Sequence, residues 1–277
     1  MFRSRSYGIT LTNENMMRKL NFYAVIAFAT VIFLLKSTCL PAQIVNIENK
    51  RSSLADTSGV FGYLSLGANF VKNTKSITTI SGDVRIEFLQ KKSRFLSLTN
   101  YNLIRANADR FIDNGFSHLR YNYEIRKRLE YETFTQAQFN NQVRLKFRAL
   151  IGTGFRFQLY QAEKQQVYFG LSYMYEYDEI EIVSDVVSFF YDHRMSIYLS
   201  ASIQPFSENV SISNTTYYQP VLTNFSDARL SSQTSLTFFL SKRLRFSTIF
   251  SITNDTRVPE NVPATYYSVR NGIRWDF

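Results

Sequence analysis

Alternation with a period of two runs through the middle of the chain and leaves few folds open to it. From Leu145 to Leu159 the odd positions are Leu145, Phe147, Ala149, Ile151, Thr153, Phe155, Phe157 and Leu159, while Arg144, Lys146, Arg148, Gly152, Gly154, Arg156 and Gln158 occupy even ones. Side chains of a strand point alternately to its two sides, so this segment has one apolar and one strongly polar face. A helix would scatter the same residues around its circumference. The pattern recurs at Val167, Phe169, Leu171, Tyr173, Tyr175 and Tyr177, and again at Met195, Ile197, Leu199, Ala201 and Ile203.

Extended over the chain, the alternation predicts strands at 59–71, 76–90, 93–106, 115–127, 131–140, 142–160, 164–178, 189–205, 208–219, 227–241, 243–254 and 265–277. The expected fold is an all-β, antiparallel, up-and-down transmembrane β-barrel of about twelve strands, with roughly 10–14 compatible with the pattern. No apolar run long enough for a spanning helix follows residue 42, and lipid leaves unpaired backbone without partners, so only a closed sheet could reside there. An even strand number puts both mature termini on one side, with short turns at Lys91-Lys92, Arg128-Leu129-Glu130, Gln161 to Glu163, Phe206-Ser207 and Lys242. Longer links at 107–114, 179–188, 220–226 and 255–264 are expected outside, while 71–76 and 140–142 are shorter exceptions.

The first 42 residues read as an N-terminal extension and a cleaved secretory signal whose real start is Met16 or Met17. Arg18-Lys19 supplies the basic start, Leu20 to Leu35 the apolar run, and Leu40-Pro41-Ala42 the processing site. The alternative, an anchoring helix, needs ~20 apolar residues, and this run ends earlier at Lys36. Lys36-Ser37-Thr38 before Cys39 lacks the small apolar residues of a lipidation signal. Cleavage removes five cations and one acid, a net loss of four that takes the formal charge from +10 to +6. It also removes Cys39, the single cysteine, leaving no disulfide and no thiolate metal site. Residues 43–57 are then a short periplasmic segment and 58–277 the barrel domain.

In the last strand Tyr267, Val269, Ile273, Trp275 and Phe277 share one face, a terminal aromatic pattern that resembles the segment by which bacterial assembly machinery recognises barrels. A soluble barrel's closing strand is the plainer alternative. Three further stretches carry a family likeness: 115–123 (GFSHLRYNY), 132–140 (ETFTQAQFN) and 148–156 (RALIGTGFR). In order and spacing they resemble the domain-of-unknown-function 481 family of outer-membrane barrels, which includes proteins described as salt-induced. The resemblance implies an outer-membrane location and transfers no reaction.

Remaining polar residues are candidates for the barrel interior. His118, Arg120, Glu124, Glu132, Gln136, Gln138, Arg144, Arg148 and Arg156 fall on polar faces of neighbouring strands, where paired charges and amides satisfy one another; a solute-selective constriction is the alternative. The cations are interleaved with acids, so no coherent nucleic-acid surface exists. His118 and His193 are too isolated for a zinc motif, and no cofactor is expected. Ser117 or Ser196 with a histidine would be needed for a lipase-like enzyme, but no nucleophile elbow is present. The acids Glu176, Asp178, Glu179, Glu181 and Asp185 read as a solvated external loop rather than a calcium site.

The expected function is a non-enzymatic outer-membrane barrel, exported by the general secretory route, that supports envelope integrity or a stress response. A small passive channel is the alternative. Its partners would be outer-membrane lipids, lipopolysaccharide and the assembly machinery, and the barrel would act as a monomer.

Overall fold

The computed structural model describes residues 58–72, 76–107, 109–183, 186–204, 209–241 and 243–275. The expected leader and periplasmic segment, Asp185, the Phe206-Ser207 and Lys242 turns and Phe277 lie outside the described residues.

Twelve strands follow in order: β1 (Gly59–Lys72), β2 (Ser76–Gln90), β3 (Ser93–Ala106), β4 (Asp109–Arg126), β5 (Leu129–Asn140), β6 (Leu145–Ala162), β7 (Gln165–Val183), β8 (Val186–Ile203), β9 (Val210–Val221), β10 (Asn224–Phe239), β11 (Leu244–Asp255) and β12 (Thr265–Trp275). Each is antiparallel to its neighbours in sequence, which makes the sheet an all-β, up-and-down meander. It curls into a barrel wall, with side chains on the concave face meeting from β5 to β8 and from β7 to β10. Among the described residues, β1 is laddered only to β2 and β12 only to β11.

The face assignment follows the alternation. Ile151, Phe155, Phe157 and Leu159 of β6 are exposed on the convex side, whereas Arg148 and Arg156 are buried on the concave side. This arrangement inverts a soluble barrel: charge is inside and hydrocarbon outside. Leu145 departs from it. A bulge between Leu145 and Phe147 sets an extra residue into β6, turning Leu145 inward and leaving Lys146 outside, half exposed.

The turns at one end are short, as expected: Lys91-Lys92, Lys127-Arg128 and Glu163-Lys164, with Lys91 and Arg128 in the left-handed region. At the other end the expected long links are largely strand. β4 starts at Asp109, β7 runs to Val183, and only residues 222–223 separate β9 from β10. Among the described residues, 256–264 alone keeps the expected length. In β7 the facing continues unchanged to the strand end, but the polarity of the two faces swaps there. Glu179 and Glu181 take the outer face and Ile180 is buried inside, so a segment that looks charged and irregular still completes its ladder with β8.

Candidate functional site

β7 brings Glu176 and Asp178, two residues apart, onto the concave face, where both are buried. Three guanidiniums converge on Glu176: Arg194 at 3.0 Å, Arg229 at 3.2 Å through both terminal nitrogens, and Arg148 at 3.6 Å. Arg148 also donates two parallel hydrogen bonds to Asp178, at 2.6 and 2.7 Å. Arg229 continues to Asp255 at 3.0 Å. Nearer the loop end, Arg194 donates to Asp192 and Asp227, each at 3.2 Å, and to the Gln219 carbonyl at 3.0 Å.

Arg257, from the β11–β12 loop, completes the cluster. It bridges Asp192, with contacts of 2.6 and 3.4 Å, and Asp227, and its guanidinium lies 4.2 Å from the centre of the Phe190 ring. Burial pulls this guanidinium's pKa down, but the hydrogen bonds and charges of Asp192 and Asp227 more than offset that, holding it above its usual range. The loop is tied to the opposite wall as well, since the Glu260 amide donates to the Ile182 carbonyl at 2.9 Å. Four guanidiniums and five carboxylates from β6, β7, β8, β10, β11 and the loop thus interlock across the interior. An isolated charge there would be expensive, and each group is held by partners of opposite sign.

A second cluster centres on Glu132 of β5. It accepts from Arg120 at 3.3 Å, Ser172 at 3.0 Å and Tyr198 at 3.1 Å. Beside it His118 contacts Gln136 through Nδ1 at 2.9 Å and stacks on Phe134, while Gln136 donates to Gln138. Gly170 and Gly152 make room for these rings, because a Cβ at either would overlap Tyr198 or Phe134. Closer to the short-turn end, Arg156 pairs with Glu130 at 2.9 Å and lies 3.5 Å from the centre of the Tyr168 ring.

Of the nine residues read as a lumenal set, His118, Arg120, Glu132, Gln136 and Gln138 meet around β4 and β5, Arg148 joins the Glu176 cluster and Arg156 forms its own pair. Two depart. Glu124 is exposed beside a register shift next to the β4–β5 turn. Arg144 is the left-handed residue that closes the 3-10 turn Asn141–Val143, which removes it from the alternation. The acidic stretch is also reassigned: Glu176 and Asp178 are buried among arginines, Glu179 accepts from Tyr177 at 2.7 Å and Glu181 pairs with Lys146 at 2.5 Å. Asp192, Arg194, Asp227, Arg229, Asp255 and Arg257 were not singled out by sequence. Parity alone was the available signal, since Arg194 lies on the polar face of its strand.

Small cavities lie beside the clusters. One of about 60 Å³ lies under the loop, lined by Arg148, Arg229, Asp255, Arg257, Pro259 and Tyr266. Another, of about 40 Å³, touches His118, Arg120, Gln136, Met174, Ser196 and Tyr217. Either holds a few waters rather than a sugar. Ser117 is outside, hydrogen-bonded to Thr99, and His193 is outside against Tyr173; the neighbouring inward residues are His118 and Ser196, and Ser196 accepts from Gln219 at 3.3 Å. Ser117 and His118 therefore cannot act as a pair. Among the described residues no three His, Cys, Asp or Glu are placed to hold a metal ion. In β12, Val269, Ile273 and Trp275 are exposed on the outer face that Tyr267 shares.

Comparison with known proteins gives a family and an architecture. Residues 64–273 match the family model described as "Protein of unknown function, DUF481". No curated protein matches. Among solved structures, a NanC porin is 8% identical with a TM-score of 0.45, covering 77% of this chain and 99% of its own. A KdgM porin is 8% identical with a TM-score of 0.37, over 79% and 99%. A KdgM porin in complex with disordered oligogalacturonate gives 8%, 0.37, 76% and 98%. Likeness of this size says nothing about what this barrel carries.

Proposed function

For a chain that belongs to the DUF481 family, whose description assigns no reaction, we propose the role of a non-enzymatic outer-membrane β-barrel with a closed interior, serving envelope integrity or a response to envelope stress. The observation that carries this reading is the cluster around Glu176, which ties β6, β7, β8, β10, β11 and the β11–β12 loop together through the space a channel would use. A pore needs separated rings of charge with water between them; here the charges are spent on one another.

Membrane residence is supported by the convex face. It exposes Leu64, Leu66, Ile151, Phe155, Leu171 and Leu199, with Tyr173 and Tyr175 against His193 and Tyr177 against Tyr191. Apolar residues facing out and tyrosines gathered at one level suit a lipid surround and its headgroup boundary. The barrel would be delivered by the general secretory route and inserted by the assembly machinery through its last strand. It would sit as a monomer among outer-membrane lipids and lipopolysaccharide.

A small passive channel is the second reading. It is favoured by the inner faces of β1 and β12, where Ser65, Gly67, Ser268 and Gly272 are small and Ser65, Gly67 and Gly272 are exposed. Single-channel recording of the refolded mature chain in a planar bilayer separates the two, with circular dichroism reporting β structure in the same preparation. Folded, inserted protein without conductance steps supports the closed barrel. Stable, reproducible steps reject it in favour of the channel.

A further inference from the structure

Arg257 occupies a receptor made by other strands. Asp192 of β8 takes its guanidinium at two nitrogens, Asp227 of β10 takes it from a second side, and Phe190 covers it at 4.2 Å from the ring centre. Two carboxylates and an aromatic face make a recognition set for a flat, delocalised cation: forked donors match carboxylate oxygens, and the ring attracts the positive charge. Arg194 is shared by the same carboxylates, so without Arg257 the pocket holds two negative charges against one positive. The Arg257 side chain is 18% exposed, so the site opens to solvent at the loop end of the barrel.

We propose that Asp192, Asp227 and Phe190 form a binding site for guanidinium-bearing solutes, and that Arg257 is its built-in occupant, exchanged for an external guanidinium when the β11–β12 loop lifts. The site does not depend on whether the barrel conducts. Arg257 is tethered two residues beyond the end of β11 and competes at an effective concentration on the order of millimolar, so an external ligand must be abundant or make further contacts to displace it.

The test uses methylguanidinium chloride at constant ionic strength on the refolded chain. Folded Arg257→Ala, or Arg257→Gln if the alanine variant does not fold, should bind it saturably by calorimetry, at least tenfold more tightly than wild type. Adding Asp192→Asn and Asp227→Asn should abolish that binding. In wild-type protein, tens of millimolar methylguanidinium should speed hydrogen exchange at the Glu260 amide, which is bonded to Ile182, beyond the effect of equal sodium chloride. Three results would each overturn the site: no saturable heat in the folded variants, binding unchanged by the two Asn substitutions, or Glu260 exchange no faster than in sodium chloride.

Discussion

The wall from β4 to β8 and the two edge strands β1 and β12 have the same backbone and the same alternation, yet they are held differently. In the first, inward side chains are long and charged, and they meet partners from strands far away: Glu132 reaches Tyr198, and Glu176 reaches Arg229. In the second, β1 is exposed along nearly its whole length and β12 is largely exposed, with each laddered on one side. A strand pattern therefore specifies a sheet, but it is the side chains crossing the concavity that make one region of it rigid.

The sharpest way to break this contrast is Glu176→Gln. It removes the one carboxylate shared by Arg148, Arg194 and Arg229, leaving each buried guanidinium with fewer acceptors although Asp178, Asp192, Asp227 and Asp255 remain, and should lower stability by about 3–5 kcal/mol in urea titrations of the membrane-inserted protein. A loss under about 1 kcal/mol would mean water solvates the cluster. Backbone amide exchange sharpens the comparison without mutation. Amides of β1 and β12 should exchange on the order of 10²-fold faster than those of β6 and β7, and equal protection would show that the two edge strands are laddered in the membrane. Next comes Gly170→Val, which drives a side chain into the Tyr198 ring and away from its bond to Glu132; the expected cost is about 1–3 kcal/mol, and an unchanged urea midpoint would show that the ring moves freely. The smallest effect belongs to Lys146→Ala. Its pair with Glu181 is on the outer surface with Lys146 half exposed, so about 0–0.5 kcal/mol is expected, and a loss as large as the Glu176 variant's would erase the distinction between inner and outer charge.

Much of the fold was legible because strand periodicity is a local property. The ranges 76–90 and 93–106 are read without error, and no expected strand is missing. What was misread depends on context beyond the window. At Glu179 to Ile182 the polarity of the two faces swaps, the outer face carrying charge instead of apolar side chains, and the segment passes for a loop. At Leu145 one inserted residue flips a side chain that alternation had placed outside. The ionic cluster was harder still. Apart from Arg194 and Asp192, its ion pairs are separated by 18 to 65 residues, so no motif contains them, and which inward arginine meets which inward acid is decided by curvature. The five residues around Glu132 and Gln136 lie together because β4 and β5 are adjacent in both sequence and space.

The meander order also sets a timetable. Among the described residues every ladder joins consecutive strands, so each pairing closes a short length of chain and the sheet can grow hairpin by hairpin at little entropic cost. The contacts across the concavity span 53 residues in the Glu176–Arg229 pair and 66 in the Glu132–Tyr198 pair, and they raise the contact order well above that of the hairpins. Secondary structure should thus come early and locking late, with the slow step being the moment when β10 delivers Arg229 to an acid that has been waiting on β7.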